Sequence, residues 1–217
     1  MLRPFHNPDF AFEIGIDEAG RGPLFGRVYV AAVILPKDQE SFRHDLMKDS
    51  KKIKSRKKMV ELADYIKTNA IAWHIFYAEA SEIDSMGILN CVIRGMHSCI
   101  TEILKNTKID IPSVLLLVDG NYFRPYIKFN EDTETLETAT HETVEKGDGT
   151  YSSIAAASIL AKNERDTYME ELCEQNPDLK EHYSLHTNMG YGTKAHFEGI
   201  RNHGITEWHR KSFKGVL

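Results

Sequence analysis

Four carboxylates stand where charge would be costly unless it served some chemistry. Asp17 and Glu18 follow directly on the apolar run Ile14-Gly15-Ile16, and an acidic pair there is unfavourable unless a cation compensates it. Asp119 closes Val114 to Val118, five apolar residues without alternation, the pattern of a strand covered on both faces. Asp166 lies in a helical segment; at about 100° per residue it falls within roughly 60° of Ala155, Ile159 and Asn163, on the face expected to pack on a sheet. Small alanines on that face would let the helix approach closely and carry a carboxylate toward the sheet. Each residue also has a plainer reading. Asp119 could be a turn residue in Asp-Gly-Asn, and Asp166 could simply pair with Lys162 one turn back.

Together Asp17, Glu18, Asp119 and Asp166 make an all-oxygen set without His or Cys, which suits Mg²⁺ or Mn²⁺. Two such ions about 4 Å apart would activate a water and stabilise the leaving oxygen of an in-line displacement at phosphorus, with no covalent nucleophile. One condition attaches to this. Consecutive residues of a regular strand point to opposite faces, so Asp17 and Glu18 can share a metal only if the strand ends there, a break that Gly20 and Gly22 would supply.

The elements that must position these groups follow from apolar periodicity. Phe12 to Asp17 and Arg27 to Leu35 read as two strands joined as a hairpin through a Gly/Pro-rich turn. Ser55 to Thr68 is an amphipathic helix with Met59, Leu62, Ala63 and Ile66 on one face, and a strand from Ile71 to Tyr77 follows. A long helix from about Ser81, broken at Gly87, runs to about Leu104 and leads into the Val114 to Val118 strand. Glu131 to Glu142, acidic and Thr-rich, reads as a surface loop before a short strand and Gly147-Asp148-Gly149. Ser152 to Glu174 is the most helical stretch, and a shorter helix covers Lys194 to Asn202. No repeat or linker divides the chain, so residues 1–217 are expected to form one α/β domain on a mixed sheet flanked by helices, with a helical C-terminal portion.

Composition narrows the class. With 41% hydrophobic residues in 217, the chain can bury a core without staples. Its three cysteines form no C-x-x-C pair, and Cys91 and Cys99 would lie about 12 Å apart on a helix, too far to bridge. A reducing, cytoplasmic setting is expected. The N-terminal stretch Met1 to Pro8 holds no signal-like apolar run, and the longest such run, Val28 to Leu35, is less than half the roughly 20 residues a membrane span needs. A formal net charge of −5 argues against coating nucleic acid by bulk charge, but not against holding a duplex on a local patch. Lys48 to Lys58, Lys-Asp-Ser-Lys-Lys-Ile-Lys-Ser-Arg-Lys-Lys, is such a patch, unless it is only a solvated helix start.

The order of motifs resembles one family. Gly15-Ile16-Asp17-Glu18-Ala19-Gly20-Arg21-Gly22-Pro23-Leu24, Asp49-Ser50-Lys51-Lys52, Val118-Asp119-Gly120-Asn121, Lys146-Gly147-Asp148, Ile154 to Lys162 with Arg165-Asp166, Gly190-Tyr191-Gly192-Thr193 and His209-Arg210 together resemble ribonuclease HII, the type 2 ribonuclease H. The resemblance implies a ribonuclease H-like fold and a site of Asp17, Glu18, Asp119 and Asp166 holding two Mn²⁺ or Mg²⁺ ions. The implied substrates are RNA/DNA hybrids and duplex DNA containing ribonucleotides, cut on the 5′ side of a ribonucleotide to leave 3′-hydroxyl and 5′-phosphate ends. It further implies that Gly20, Arg21 and Gly22 touch the sugar 2′-hydroxyl and neighbouring phosphates through their backbone, that Tyr191 binds the same hydroxyl, and that Ser50 and Lys51 hold the nucleic-acid backbone. Glycines permit that close approach, and the 2′-hydroxyl is what separates RNA from DNA.

The chain departs from the family pattern at Arg27, where many members have proline, at Asn163-Glu164, and at Thr187-Asn188-Met189, which lengthens the spacing between His186 and Gly190. A monomer is expected, without the C-terminal sliding-clamp motif of some relatives. A type 3 ribonuclease H, the nearest rival, is disfavoured by the Gly-Arg-Gly turn and by the lack of an extra N-terminal domain. A non-cutting hybrid-binding module would call for a lost carboxylate, and all four are present.

Overall fold

Apolar residues alternate with small and acidic ones along the first strand, β1 (Phe12–Ala19). This alternation gives the strand two buried faces in the computed structural model, which describes residues 2–217. Met1, the start of the N-terminal stretch read above, lies outside the described residues. In chain order β1 is followed by β2 (Val28–Ile34), α1 (Arg56–Asn69), β3 (Ala72–Ala78), α2 (Ala80–Met86), α3 (Ile88–Thr107) and β4 (Val114–Asp119). Then come β5 (Ile127–Asn130), β6 (Thr135–Thr138), β7 (Thr140–Val144), α4 (Ser152–Gln175), α5 (Asp178–Tyr183), α6 (Leu185–Asn188) and α7 (Lys194–His203).

Five strands form a mixed sheet in the order β3-β2-β1-β4-β7, with β1 antiparallel to β2 and parallel to β4. Ile14, Ile16, Val30, Leu116 and Val118 face α3 on one side. Tyr29, Ala31 and Val33 face α1 and α4 on the other. α4 lies directly over β1 and β2. Its first ten residues, Ser152 to Ala161, are all buried, not merely the one face that helical periodicity marks, because α1 and the turns at Ser50–Lys52 and Gly147–Gly149 pack on α4 as well. The alanines and serines of this stretch, together with Gly15 on the strand, allow the approach. A Cβ on Gly15 would lie 2.2 Å from the carbonyl carbon of Ser153.

Two expectations need correction. β1 does not end at Asp17: it continues to Ala19, with Asp17 opposite Ala31 and Glu18 opposite Val30. The ladder toward β4, however, stops at Ile16 opposite Val118. From Asp17 onward the strand is therefore paired on one flank only. Glu131 to Glu142 is not a loop; it contains β6 and the start of β7, and β5 pairs with β6 as a separate hairpin, Phe129 opposite Leu136. Acidic and threonine residues masked that strand, whose β-branched and apolar positions still suit a pleated ribbon. The short helices α5 and α6 also went unread. They pack with the second half of α4 and with Phe25 into a separate apolar cluster containing Leu172, Leu179, Tyr183 and Leu185. Cys91, Cys99 and Cys173 are buried free thiols.

Candidate active site

Asp17 is 5% exposed at the C-terminal end of the central strand. Its Oδ1 accepts the Glu18 backbone N–H at 2.7 Å, and the nearby Ser158 hydroxyl of α4 favours its charged form. Ser158 Oγ in turn lies 2.9 Å from Ser50 Oγ. Asp119, next to it at the end of β4, accepts the Gly147 N–H at 2.7 Å. A side chain at 147 would press on Ile154, its Cβ only 2.5 Å from the Ile154 Cδ1, so the loop's glycine allows this hydrogen bond. Glu18 is paired with Arg21 at 3.2 Å. On α4, Lys162 Nζ donates to Asp166 Oδ2 at 2.8 Å, while Asp166 Oδ1 is buried without a hydrogen-bond partner.

Burial pushes the Asp17 carboxyl well above its ordinary range, and the charges of Glu18 and Asp119 push it further. Burial also raises Glu18, against the pull of Arg21. It raises Asp119 too, against the Gly147 N–H. Burial and the repulsion that Asp17 feels from Glu18 and Asp119 make a positive charge beside these carboxylates favourable.

All ten residues named from the sequence line one cleft of about 450 Å³. Asp17, Glu18 and Asp119 form its acidic end, and Asp166 flanks them from α4. Gly20, Arg21, Gly22 and Tyr191 form another wall, with Lys51 at the rim, its side chain 81% exposed and 3.6 Å from Asp148. Ser50 is 3% exposed, and its hydroxyl is engaged with Ser158. Asp166 lines the cleft and also pairs with Lys162.

The residues fit a hard divalent cation in their chemistry: an all-oxygen set, with the Asp166 and Asp148 carboxylates each keeping one buried oxygen that no donor satisfies. Their convergence is partial. Among the described residues no three acidic, histidine or cysteine side chains stand close enough to cage a metal, and the outer two carboxylates are drawn to Arg21 and Lys162. Asp148, buried beside Asp119, and Ser158 were not assigned roles from the sequence. Ser158 was within reach of helical spacing, because Ser158, Lys162 and Asp166 form one i, i+4 row.

A model of the ribonuclease HII family matches residues 14–216. The ribonuclease HII of Parabacteroides distasonis is 45% identical over 213 residues, covering 98% of this chain and 94% of the relative. The chain belongs to the ribonuclease HII family. It is accordingly a ribonuclease H, a hydrolase of the nuclease class. The ribonuclease HII of Porphyromonas gingivalis is 40% identical, covering 100% of this chain and 96% of the relative. Among solved structures, ribonuclease H2 from Pyrococcus horikoshii is similar with a TM-score of 0.68 at 21% identity, covering 94% of this chain and 95% of that one. A Bst-RNase HIII in complex with Mn²⁺ reaches 0.69 at 16% identity, covering 97% and 72%. At such identities the likeness is one of fold, shared by type 2 and type 3 enzymes alike; the sequence match separates them.

In this member of the ribonuclease HII family the turn after β1 is tightly underpinned. Gly20 has φ +96°, and a Cβ there would meet Arg165 Nε at 2.6 Å. Arg165 is 4% exposed, donates to the Met189 carbonyl at 2.5 Å, and places its guanidinium 5.8 Å from the centre of the Tyr191 ring. Gly22 comes within contact of the same ring, 3.5 Å from where its Cβ would be. The turn and the lengthened loop are thus joined through one buried arginine, with Tyr191 half exposed between them.

Proposed function

We propose that the chain cuts RNA paired or joined to DNA on the 5′ side of a ribonucleotide, leaving 3′-hydroxyl and 5′-phosphate ends. Such an activity would remove misincorporated ribonucleotides and RNA primers. The observation that carries this reading is that one cleft holds both the acidic end and the glycine turn with Tyr191. Asp17 and Asp119 would hold the two metals, and Glu18 and Asp166 would bind one each. When bound, Mn²⁺ or Mg²⁺ supplies the Lewis-acid chemistry that makes water nucleophilic and offsets charge on the leaving oxygen. The chain's own part is to orient and to select. The Glu18 and Gly147 N–H groups hold the two strand-end carboxylates, Asp17 and Asp119. The backbone of Gly20 to Gly22 can approach a sugar closely, and Tyr191 offers a phenol to the 2′-hydroxyl. Lys51 extends the basic cluster to the cleft rim, a local patch on an acidic protein.

The whole of residues 1–217 would act as one catalytic domain, monomeric and cytoplasmic. Among the described residues no helix is long and apolar enough to cross a membrane. The Archaeoglobus fulgidus relative, solved as a complex of PCNA with RNase HII, is similar with a TM-score of 0.67 at 25% identity over 94% of this chain and 95% of that one.

Two measurements bear on this reading. Millimolar Mn²⁺ should raise the melting temperature by about 5 °C or more, since a ligand at a hundred times its Kd adds about 2.7 kcal/mol and each kcal/mol is worth about 2–4 °C at this size. Melting indifferent to both Mn²⁺ and Mg²⁺ would rule out the metal assignment. Tyr191→Phe should slow cleavage of a duplex with a single ribonucleotide by about three- to tenfold, the worth of one hydrogen bond, while its stability is unchanged. Equal rates for the variant and the parent would remove Tyr191 from sugar recognition.

A further inference from the structure

His209-Arg210 closes the sequence motif yet neither residue lines the cleft. Arg210 is nonetheless 0% exposed, and its guanidinium is aimed at the back of the turn that forms one cleft wall. Nε donates to the Gly26 carbonyl at 2.9 Å, and Nη1 donates to those of Pro23 at 2.8 Å and Arg21 at 3.2 Å. Its backbone N–H adds a bond to the Leu24 carbonyl at 2.8 Å. Four carbonyls between residues 21 and 26 are therefore held by one residue from the far end of the chain. The turn's only regular alternative would be water, from which it is largely shut off.

The same grip reaches Tyr191. Leu24 N–H donates to the Gly190 carbonyl at 2.8 Å. The Tyr191 carbonyl lies 3.0 Å from His196 Nδ1, whose Nε2 is 3.2 Å from His209 Nε2. Both histidines are fully buried. A buried guanidinium is a poor choice for stability alone, since a packed apolar side chain often does as well. What an apolar residue cannot do is orient several carbonyls of one turn through a planar fork.

We infer that Arg210 is a positioning residue for ribose recognition, fixing the Gly20–Gly26 turn from behind so that its cleft side stands at a set separation from Tyr191. This rests on the reading of the cleft as a ribonucleotide site. Arg165 supports the same wall from beneath Gly20, but its own hydrogen bond goes to the Tyr191 loop; the turn's carbonyls are Arg210's.

The test uses the full chain with Mn²⁺ and a DNA duplex carrying one ribonucleotide. Arg210→Lys keeps the charge but cannot reproduce the fork; it should raise KM about tenfold while kcat changes little, because a misplaced binding wall weakens docking more than chemistry. The Mn²⁺-induced rise in melting temperature should match that of the parent, since the carboxylates are untouched. Arg210→Ala should regain low KM when millimolar guanidinium is added, and not with the same concentration of NaCl. Pro23→Gly, which loosens the turn with Arg210 in place, should raise KM as well and serves if the arginine variants fail to fold.

Unchanged KM in folded Arg210→Lys and in Pro23→Gly, a loss confined to kcat, or recovery equal in NaCl would overturn the inference. If the parent protein cuts nothing, it is the cleavage reading that fails. Fluorescence anisotropy in EDTA, comparing the one-ribonucleotide duplex with an all-DNA duplex, then still decides on Arg210. A preference present in the parent and lost in Arg210→Lys supports it, and a preference kept by the variant or absent from the parent refutes it.

Discussion

Gly15→Ala is expected to lower the melting temperature by about 10 °C or more, the equivalent of at least about 3 kcal/mol of overpacking in a chain of this size. The added Cβ would lie 2.2 Å from the Ser153 carbonyl carbon, 2.4 Å from the Ile154 nitrogen and 2.5 Å from the Ser153 oxygen. These are backbone atoms and cannot turn aside by changing rotamer. Relief requires α4 to move off β1, and α4 carries Ser158, Lys162 and Asp166. The substitution should therefore reduce cleavage even below the melting transition, by displacing Asp166 relative to Asp17. Gly149→Ala is the matching control: nothing lies within 4 Å of its Cβ, and its effect should stay within about 0.5 kcal/mol. Thermal melts followed by circular dichroism decide it, and a Gly15→Ala protein melting within a degree or two of the parent would contradict the packing described.

Asp17→Asn should move activity and stability in opposite directions. Cleavage should fall on the order of a thousandfold, as expected when a reaction loses a central part of its electrostatic machinery. The metal-free variant should nevertheless melt higher than the parent at neutral pH. Burial, with Glu18 and Asp119 adding to it, raises the Asp17 carboxyl in the folded protein above its unfolded value. A group raised in this way holds its proton more firmly when folded. Its contribution to stability is complete below the unfolded value and is lost as pH climbs through the folded one. Glu18 and Asp119 are raised too, so the metal-free parent should lose stability as pH rises from the ordinary carboxylate range toward neutrality. The asparagine variant should lose less over the same span. Melts in EDTA across that range measure the difference, and a parent that gains stability with rising pH would show that the carboxylates do not repel one another in the fold.

Much of this was legible in the sequence because contrast carried it. A charged pair after Ile14-Gly15-Ile16 and a carboxylate closing an unbroken apolar strand both stand out against their surroundings. Asp166 was legible through helical spacing, although spacing could not tell its pairing with Lys162 from its place in the cleft, and the structure contains both. The end of β1 was misjudged because the two flanks of a strand can lose their partners at different residues. β1 is unpaired on the β4 side from Asp17 but paired with β2 to Ala19. Ser50 and Ser158 lie 108 residues apart in sequence, and no local pattern joins them. Arg210 was the least legible of all. Arginine reads as surface, and only the fold shows it fully enclosed behind the turn. Gly15 looked like one more residue of an apolar run, and its importance lies in a backbone contact with a helix that begins far along the chain.

The most direct measurement maps the cut in a DNA duplex carrying one ribonucleotide, labelled at either end, after incubation with the protein and Mn²⁺. The expected result is a single break on the 5′ side of the ribonucleotide, with a 3′-hydroxyl that a polymerase can extend and a 5′-phosphate on the ribonucleotide fragment, lost in EDTA and in Asp17→Asn. Cleavage on the 3′ side, cutting of the all-DNA duplex at the same rate, or undiminished cutting by Asp17→Asn would contradict the assignment of this cleft.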